Sequence, residues 1–304
     1  MNRISAGCAR GEADGFFYDI FHGADGSRVP LKVSSMVGLL PLTTTVVLGP
    51  EVWDSVGTLR KRFEQFLERV DPKTLVGRGH IIPHDDGRLL VLGVVPPGEG
   101  RRVLKRLFDE NEFLSPYGLR SLSRHHADHP LWVDVAGAVV SVDYEPAGST
   151  TGMFGGNSNW RGPVWMPVNY LLLRSLRRNA RSIGEAVSIE YPTGSGNHAT
   201  LGECADDLRR RLISLFVPGP DGRRPCYGSV ETLQHDPRWR DNVLFFEYFH
   251  GENGAGLGAC TKRAGRDSSP ISSAARTRSP PTRAAGTSDG AAYRLRPRRL
   301  RLSR

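Results

Sequence analysis

Apolar positions along the chain fall into two kinds of period. After Asp54, which suits a helix N-terminus, Val56, Leu59, Phe63, Phe66, Leu67 and Val70 share one face, with Arg60, Lys61, Glu64 and Glu68 opposite. Val103, Leu104, Leu107 and Phe108 mark a shorter helix. Trp165 through Leu176 is apolar and ends in Arg177-Arg178, where cations complement the helix dipole. Leu201, Ala205, Leu208, Leu212, Leu215 and Phe216 mark another helix, with Arg209, Arg210 and Arg211 towards its outer side. Asn242 to Phe249 is a last apolar run, grouped with these helices. Strand-like pieces are Leu89 to Val95 and the valine-rich Leu131 to Val142. Connectors such as Pro96 to Gly100 and Val217 to Gly228 are rich in Gly and Pro. Helices joined by long, special loops suit a mainly α fold with a site built from loops on one face.

Charge divides the chain. Its 304 residues carry a formal net charge of +9. Residues 261–304 hold twelve Lys/Arg against two Asp, which leaves 29 basic and 30 acidic side chains in residues 1–260. The basicity therefore belongs to the tail, and the folded part is near neutral. A nucleic-acid partner would need a basic folded surface, or aromatic and Gly residues interleaved with Arg. The tail has one aromatic, Tyr293, so no nucleic-acid partner is expected. Such an Arg-, Ser- and Pro-rich stretch buries too little apolar surface to offset ordering entropy, and 261–304 is expected to be disordered.

Cys8, Cys204, Cys226 and Cys260 are scattered without metal or redox spacing and read as free thiols of a reducing compartment. With no signal-type start and no apolar run of membrane-spanning length, a cytoplasmic protein without a membrane partner is expected. His125, His126 and His129, like His80 and His84, lack a partnering Cys or carboxylate pattern and read as loop histidines, so no metal is expected. Ser195 lacks the context of a nucleophile elbow, and the glycines do not form a phosphate loop.

The densest chemistry lies in Gly152 to Tyr170, which reads GMFGGNSNWRGPVWMPVNY. Glycines free the backbone for close approach, and Asn157-Ser158-Asn159 can cap a helix or hold a ligand. Trp160 and Arg161 place a flat apolar face beside a rigid five-donor fork. Pro163 fits the first turn of a helix, and Pro167 would kink or break one. A second stretch runs from Asp236-Pro237-Arg238-Trp239-Arg240-Asp241 into Leu244-Phe245-Phe246-Glu247-Tyr248-Phe249-His250-Gly251-Glu252-Asn253-Gly254-Ala255-Gly256-Leu257-Gly258.

These strings resemble those of glycoside hydrolase family 63, the family of the mannosyl-oligosaccharide glucosidases and their bacterial relatives. Weaker matches are Asp14 to Asp19, Lys32 to Gly38, Asp143 to Pro146 and Tyr191 to Gly196, in the family's order. The resemblance covers about Asp14 to Gly258. It implies an incomplete (α/α)6 toroid of the six-hairpin glycosidase type. The expected layout is an irregular start over 1–13, the C-terminal part of the catalytic domain over 14–260, and the tail over 261–304.

The resemblance implies hydrolysis of α-glucosidic bonds with inversion, on an oligosaccharide or α-glucoside substrate, with no cofactor. Glu247 matches the general base that activates water. On spacing alone it reads as a surface or salt-bridged glutamate on an apolar helix, with Phe245, Phe246, Tyr248 and Phe249 threatening to desolvate it. Asn159, Trp160 and Arg161 match substrate-binding positions: an indole stacks on a pyranose face and a guanidinium donates to two hydroxyls. The plainer alternative is a buried Trp with Arg161 pairing a carboxylate. Trp165 reads as packing, and Glu145 as structural.

Two departures stand out. The segment carrying the family's general acid, an Asp upstream of the Asp14 string, has no match. Neither Asp14 nor Asp19 fits its motif. The chain is therefore expected to be a C-terminal fragment, inactive alone. After Ala259 the family continues with a string like Ser-His-Gln-Thr-Gly-Trp-Thr-Gly. One choice of codons that can encode Cys260 to Arg266 reads His-Gln-Thr-Gly-Trp-Thr-Gly in a shifted frame, so the tail is expected to be frameshifted. A non-catalytic carbohydrate-binding remnant keeping Trp160 and Arg161 is the alternative to an enzyme. The sequence leaves the oligomeric state open.

Overall fold

The computed structural model describes residues 8–260 except 12–13, 23–25, 27, 45, 49–56, 70–78, 85–86, 94, 96, 136–137, 151–157, 184–187 and 241. The tail 261–304, the capping Asp54 and Gly152 to Asn157 of the dense motif lie outside the described residues.

The chain opens with β1 (Cys8–Gly11), β2 (Phe16–His22) and β3 (Arg28–Leu31), an antiparallel sheet in that order. A 3₁₀ segment, Met36–Thr44, follows; its Met36, Leu39 and Leu42 are buried. Next come β4 (Val46–Leu48), α1 (Gly57–Arg69), β5 (Gly79–His84) and β6 (Gly87–Leu92); β6 lies between β4 and β5 in an antiparallel sheet. The helix α2 (Pro97–Leu107) starts with proline, tolerated where the N–H needs no partner. The expected connector Pro96 to Gly100 is thus largely its first turn.

Short hairpins and helices complete the chain. Strands β7 (Leu114–Ser115) and β8 (Gly118–Leu119) pair, as do β9 (Leu131–Val135) and β10 (Ala138–Val142). The helix α3 (Met166–Ile183) extends beyond its expected end. Pro167 is its second residue and sits in the first turn, so it does not break it. Pro163 lies outside any helix. A hairpin of β11 (Ser188–Glu190) and β12 (His198–Thr200) leads into α4 (Leu201–Ser214). Thr200 and Glu203 form a reciprocal capping box there, a feature typically worth about 1 kcal/mol. Two short helices, α5 (Glu231–His235) and α6 (Pro237–Arg240), precede β13 (Phe246–Phe249) and β14 (Gly256–Cys260).

The fold is therefore mixed, with six α-helices and fourteen strands among the described residues, rather than mainly α. Among the described residues the helices do not close a barrel. One core joins the pieces: Leu172 and Leu176 of α3, Leu208 and Leu212 of α4, Phe16 of β2, Leu107 at the end of α2 and Phe108 just after it. The apolar run from Asn242 to Phe249 ends as β13 and contains no helix. Phe246 and Phe249 are buried while Glu247 is exposed, and the register shifts between Phe246 and Tyr248. Such a bulge re-aims side chains. No helix of the described residues is long and apolar enough to cross a membrane.

Candidate active site

Backbone bridges set the motif segments side by side. Ser35 pairs with Leu122, Arg120 with Val164, and Val164 with Phe249. Met36 N–H donates to the Ser121 carbonyl at 2.8 Å, and Ser121 N–H to the Pro163 carbonyl at 3.0 Å. Val164 and Phe249 exchange both backbone bonds, at 2.8 and 3.0 Å. Glu145 N–H donates to the Arg161 carbonyl at 2.6 Å. The Lys32, Asp143, Trp160 and Glu247 strings are thus neighbours in space, although they span most of the described chain.

This ribbon brings Asn159 to Glu247. The Asn159 side-chain N–H₂ donates to Glu247 Oε1 at 3.4 Å, and Ala259 N–H reaches Oε2 at 3.5 Å. Asn159 belongs to the 3₁₀ turn Ser158–Trp160 and is itself buried, so its amide enters the site from a fixed support. Glu247 stands on the open side of β13. It is exposed between the buried Phe246 and the half-buried Tyr248.

Trp160 is half-buried and packs edge-on against Trp165, with ring centroids 5.4 Å apart. Arg161 is fully buried. Its Nε donates to the Asp143 carbonyl at 3.2 Å, and Nη2 lies 3.5 Å from Glu145 and 3.8 Å from the Asp143 carboxylate. Glu145 in turn accepts from Thr150 N–H at 3.1 Å. The structure therefore joins Asn159 to Glu247, keeps Trp160 beside Asn159 in the same 3₁₀ turn, and buries the Arg161 guanidinium against Asp143 and Glu145.

A buried ionic cluster locks this arrangement. Arg120 is 2% exposed; its Nε donates to Tyr144 Oη at 3.0 Å and Glu252 Oε1 at 3.1 Å, and Nη2 to Glu252 Oε2 at 3.2 Å. Nη1 donates to the carbonyls of Glu110, Glu112 and Leu114. Tyr144 also donates to Glu252. Burial opposes ionisation of Glu252, but the bonds from Arg120 and Tyr144 outweigh it and hold the carboxyl below its ordinary range. Burial pushes the Tyr144 phenol well up, so it stays a donor.

Two motif glycines make room for the Tyr144 ring. A Cβ on Gly162, at φ +140°, would lie 2.5 Å from the ring, and one on Gly251 would lie 2.6 Å from its oxygen. Sequence reading missed Arg120 and Glu252. A buried arginine announces itself only through a carboxylate partner, and this one lies 132 positions away.

A model of the mannosylglycerate hydrolase MGH1-like glycoside hydrolase domain matches residues 89–267. The chain belongs to this MGH1-like glycoside hydrolase family. The family match includes Asn159, Trp160, Arg161, Glu247 and the Arg120–Tyr144–Glu252 cluster. The chain is 41% identical over 250 residues to the uncharacterized protein YMR196W of Saccharomyces cerevisiae, covering 82% of this chain and 23% of that protein. It is 39% identical over 93 residues to a probable mannosyl-oligosaccharide glucosidase of Schizosaccharomyces pombe, covering 30% of this chain and 8% of that protein. The chain thus spans less than a quarter of the length of these curated relatives. Together they support membership of a family 63-like group of glycoside hydrolases.

Among the described residues no group of three or more His, Cys, Asp or Glu is placed to hold a metal. Cys204 and Cys226 are buried free thiols; burial pushes them up to about 12 and about 11, which suppresses the thiolate.

Proposed function

We propose that this chain supplies the base half of an inverting α-glucosidase of the mannosyl-oligosaccharide glucosidase type. Glu247 accepts a proton from the attacking water, and the Asn159 amide holds the carboxylate that does so. Trp160 offers its indole to the apolar face of the sugar. Arg161, itself buried, fixes Glu145 and the Asp143 backbone, and so holds the loop that carries Asn159 and Trp160. The observation that carries this reading is the 3.4 Å contact between Asn159 and Glu247, which unites the two strings most specific to the family.

Inversion needs a second, protonated carboxyl across the glycosidic bond. Glu252 and Asp14 do not fit that role. Glu252 is held ionised by Arg120 and Tyr144. Asp14, despite the opposing effect of burial, is lowered by its bonds to Lys32 and Tyr18. The acid is assigned to a segment outside this chain, consistent with a fragment of a larger (α/α)6 toroid that works in the cytoplasm without a cofactor. A carbohydrate-binding remnant would use the same site without Glu247.

Nuclear magnetic resonance tests the site. Titration with methyl α-glucoside should move the Trp160 indole and Asn159 side-chain signals in a saturable way. Signals that stay put at high sugar would overturn the assignment.

A further inference from the structure

A second candidate site is a cavity that Glu247 does not line. A cavity of about 430 Å³ opens between β2, the segment leading into the Met36 turn and the Arg124–Ala127 turn. That volume is within the range of roughly 300–1,000 Å³ typical of small-molecule sites. None of Asn159, Trp160, Arg161 or Glu247 lines it.

Its floor is rigid and already satisfied. Arg106 donates from Nε to both Glu112 oxygens at 2.9 and 2.8 Å, from Nη1 to Tyr18 Oη at 3.1 Å, and from Nη2 to Ser34 Oγ at 2.8 Å. His126 is buried; its Nε2 accepts from Ser34 N–H at 2.9 Å, which leaves Nδ1 to donate to the His129 carbonyl at 3.0 Å. These groups hold shape and have little left for a ligand.

The rim differs. Lys32 spends one N–H on Asp14 at 3.2 Å and keeps two. The His125 and His129 rings stack in parallel, centroids 4.2 Å apart. Neither ring nitrogen of His125, nor Nε2 of His129, has a partner among the described residues. Pro130 and Leu131 add an apolar wall. The fixed charges cancel: Lys32 and Arg106 face Asp14 and Glu112. An apolar wall, unspent donors and acceptors, and no net charge match a neutral polyhydroxyl ligand better than an ion.

We propose that this cavity is a second saccharide-binding site, taking one neutral hexose unit of an oligosaccharide. The apolar face of the ring lies against Pro130 and Leu131, and its hydroxyls bond Lys32, His125 and His129. The proposal stands independently of the role assigned to Glu247. It gives an oligosaccharide-processing family a second hold on its substrate or product.

Long-range proton–nitrogen spectra of the histidine rings, recorded on the whole chain during a maltose titration, test it. The His125 ring signals should shift saturably. They should still shift in Trp160→Ala and Glu247→Gln, which disable only the first site. Lys32→Ala and His129→Ala alter exposed side chains; each should raise the maltose dissociation constant read at His125 by about tenfold or more, the loss expected when a hydrogen bond worth ~1.5 kcal/mol goes. An unmoved His125, or an unchanged affinity in both rim variants, overturns the proposal. So does a stronger response to inorganic phosphate than to maltose, which would make the cavity an anion site. Silence at Trp160 with a response at His125 would fail the first site and leave the second standing.

Discussion

The Asn159 side-chain amide donates to the Glu247 carboxylate at 3.4 Å, across 88 positions of the chain. The contact is long and Glu247 is exposed, so it adds little stability, within about 1 kcal/mol. Its value lies in orientation. Asn159→Ala should therefore weaken methyl α-glucoside binding several-fold while the chain stays folded. Calorimetry beside a sugar titration checks this; a large stability loss with intact binding would make Asn159 a structural residue instead.

The cluster behind the site behaves in the opposite way. Glu252→Ala strands the Arg120 guanidinium, 2% exposed, among carbonyls. The expected cost is about 3 kcal/mol, the low end for a broken buried pair, because the Glu252 side chain keeps 35% of its surface in water. Urea denaturation measures it. A cost near zero would show that the pair contributes no net stability.

The same pair sets a pH dependence. Glu252 titrates lower in the folded chain than when unfolded: burial opposes this, but Arg120 and Tyr144 outweigh it. Its contribution is therefore complete above about pH 4.3, the ordinary glutamate value, and is lost as pH falls through the lower folded value. The difference in melting temperature between wild type and Glu252→Gln should shrink on going from pH 6 to pH 3. A difference that grows towards acid would contradict the assignment.

Tyr144 couples the two motif glycines. A methyl at Gly251 meets the Tyr144 oxygen and the Gly162 carbonyl, so Gly251→Ala should cost about 1–3 kcal/mol. Tyr144→Phe removes the first obstacle and should recover part of that loss in a double-mutant cycle. At Gly162 the conflict is with the ring and with φ itself, so the same rescue should fail. Strict additivity at Gly251 would place Tyr144 elsewhere.

What was readable from sequence depended on range. The apolar stripes of α1, α3 and α4 identified helices because a helix satisfies its own backbone within a few residues. The valine-rich stretch from Leu131 to Val142 likewise identified β9 and β10. The apolar run ending at Phe249 was misread, because β13 owes its strand form to Val164 and to β14, not to its own period. Two-residue strands such as β7 and β8 leave no periodic signal. Counting such local stripes favoured a mainly α fold, whereas distant pairings made it mixed. At the candidate site, the strings around Asn159 and Glu247 stood out in the sequence because their composition is distinctive. The burial of Arg161 and the Arg120–Glu252 pair were not, since both depend on partners fixed only by the fold.

The base half of a glycosidase is best tested with a substrate that needs no proton donor. Acid assistance is typically worth about 10²–10⁴-fold, so the isolated chain should leave disaccharide α-glucosides essentially untouched. α-Glucosyl fluoride departs as fluoride without protonation. The purified chain should hydrolyse it slowly, release β-glucose as the first product, and lose that activity in Glu247→Gln. Equal fluoride release by the variant, α-glucose as the first product, or no release above buffer would contradict the account.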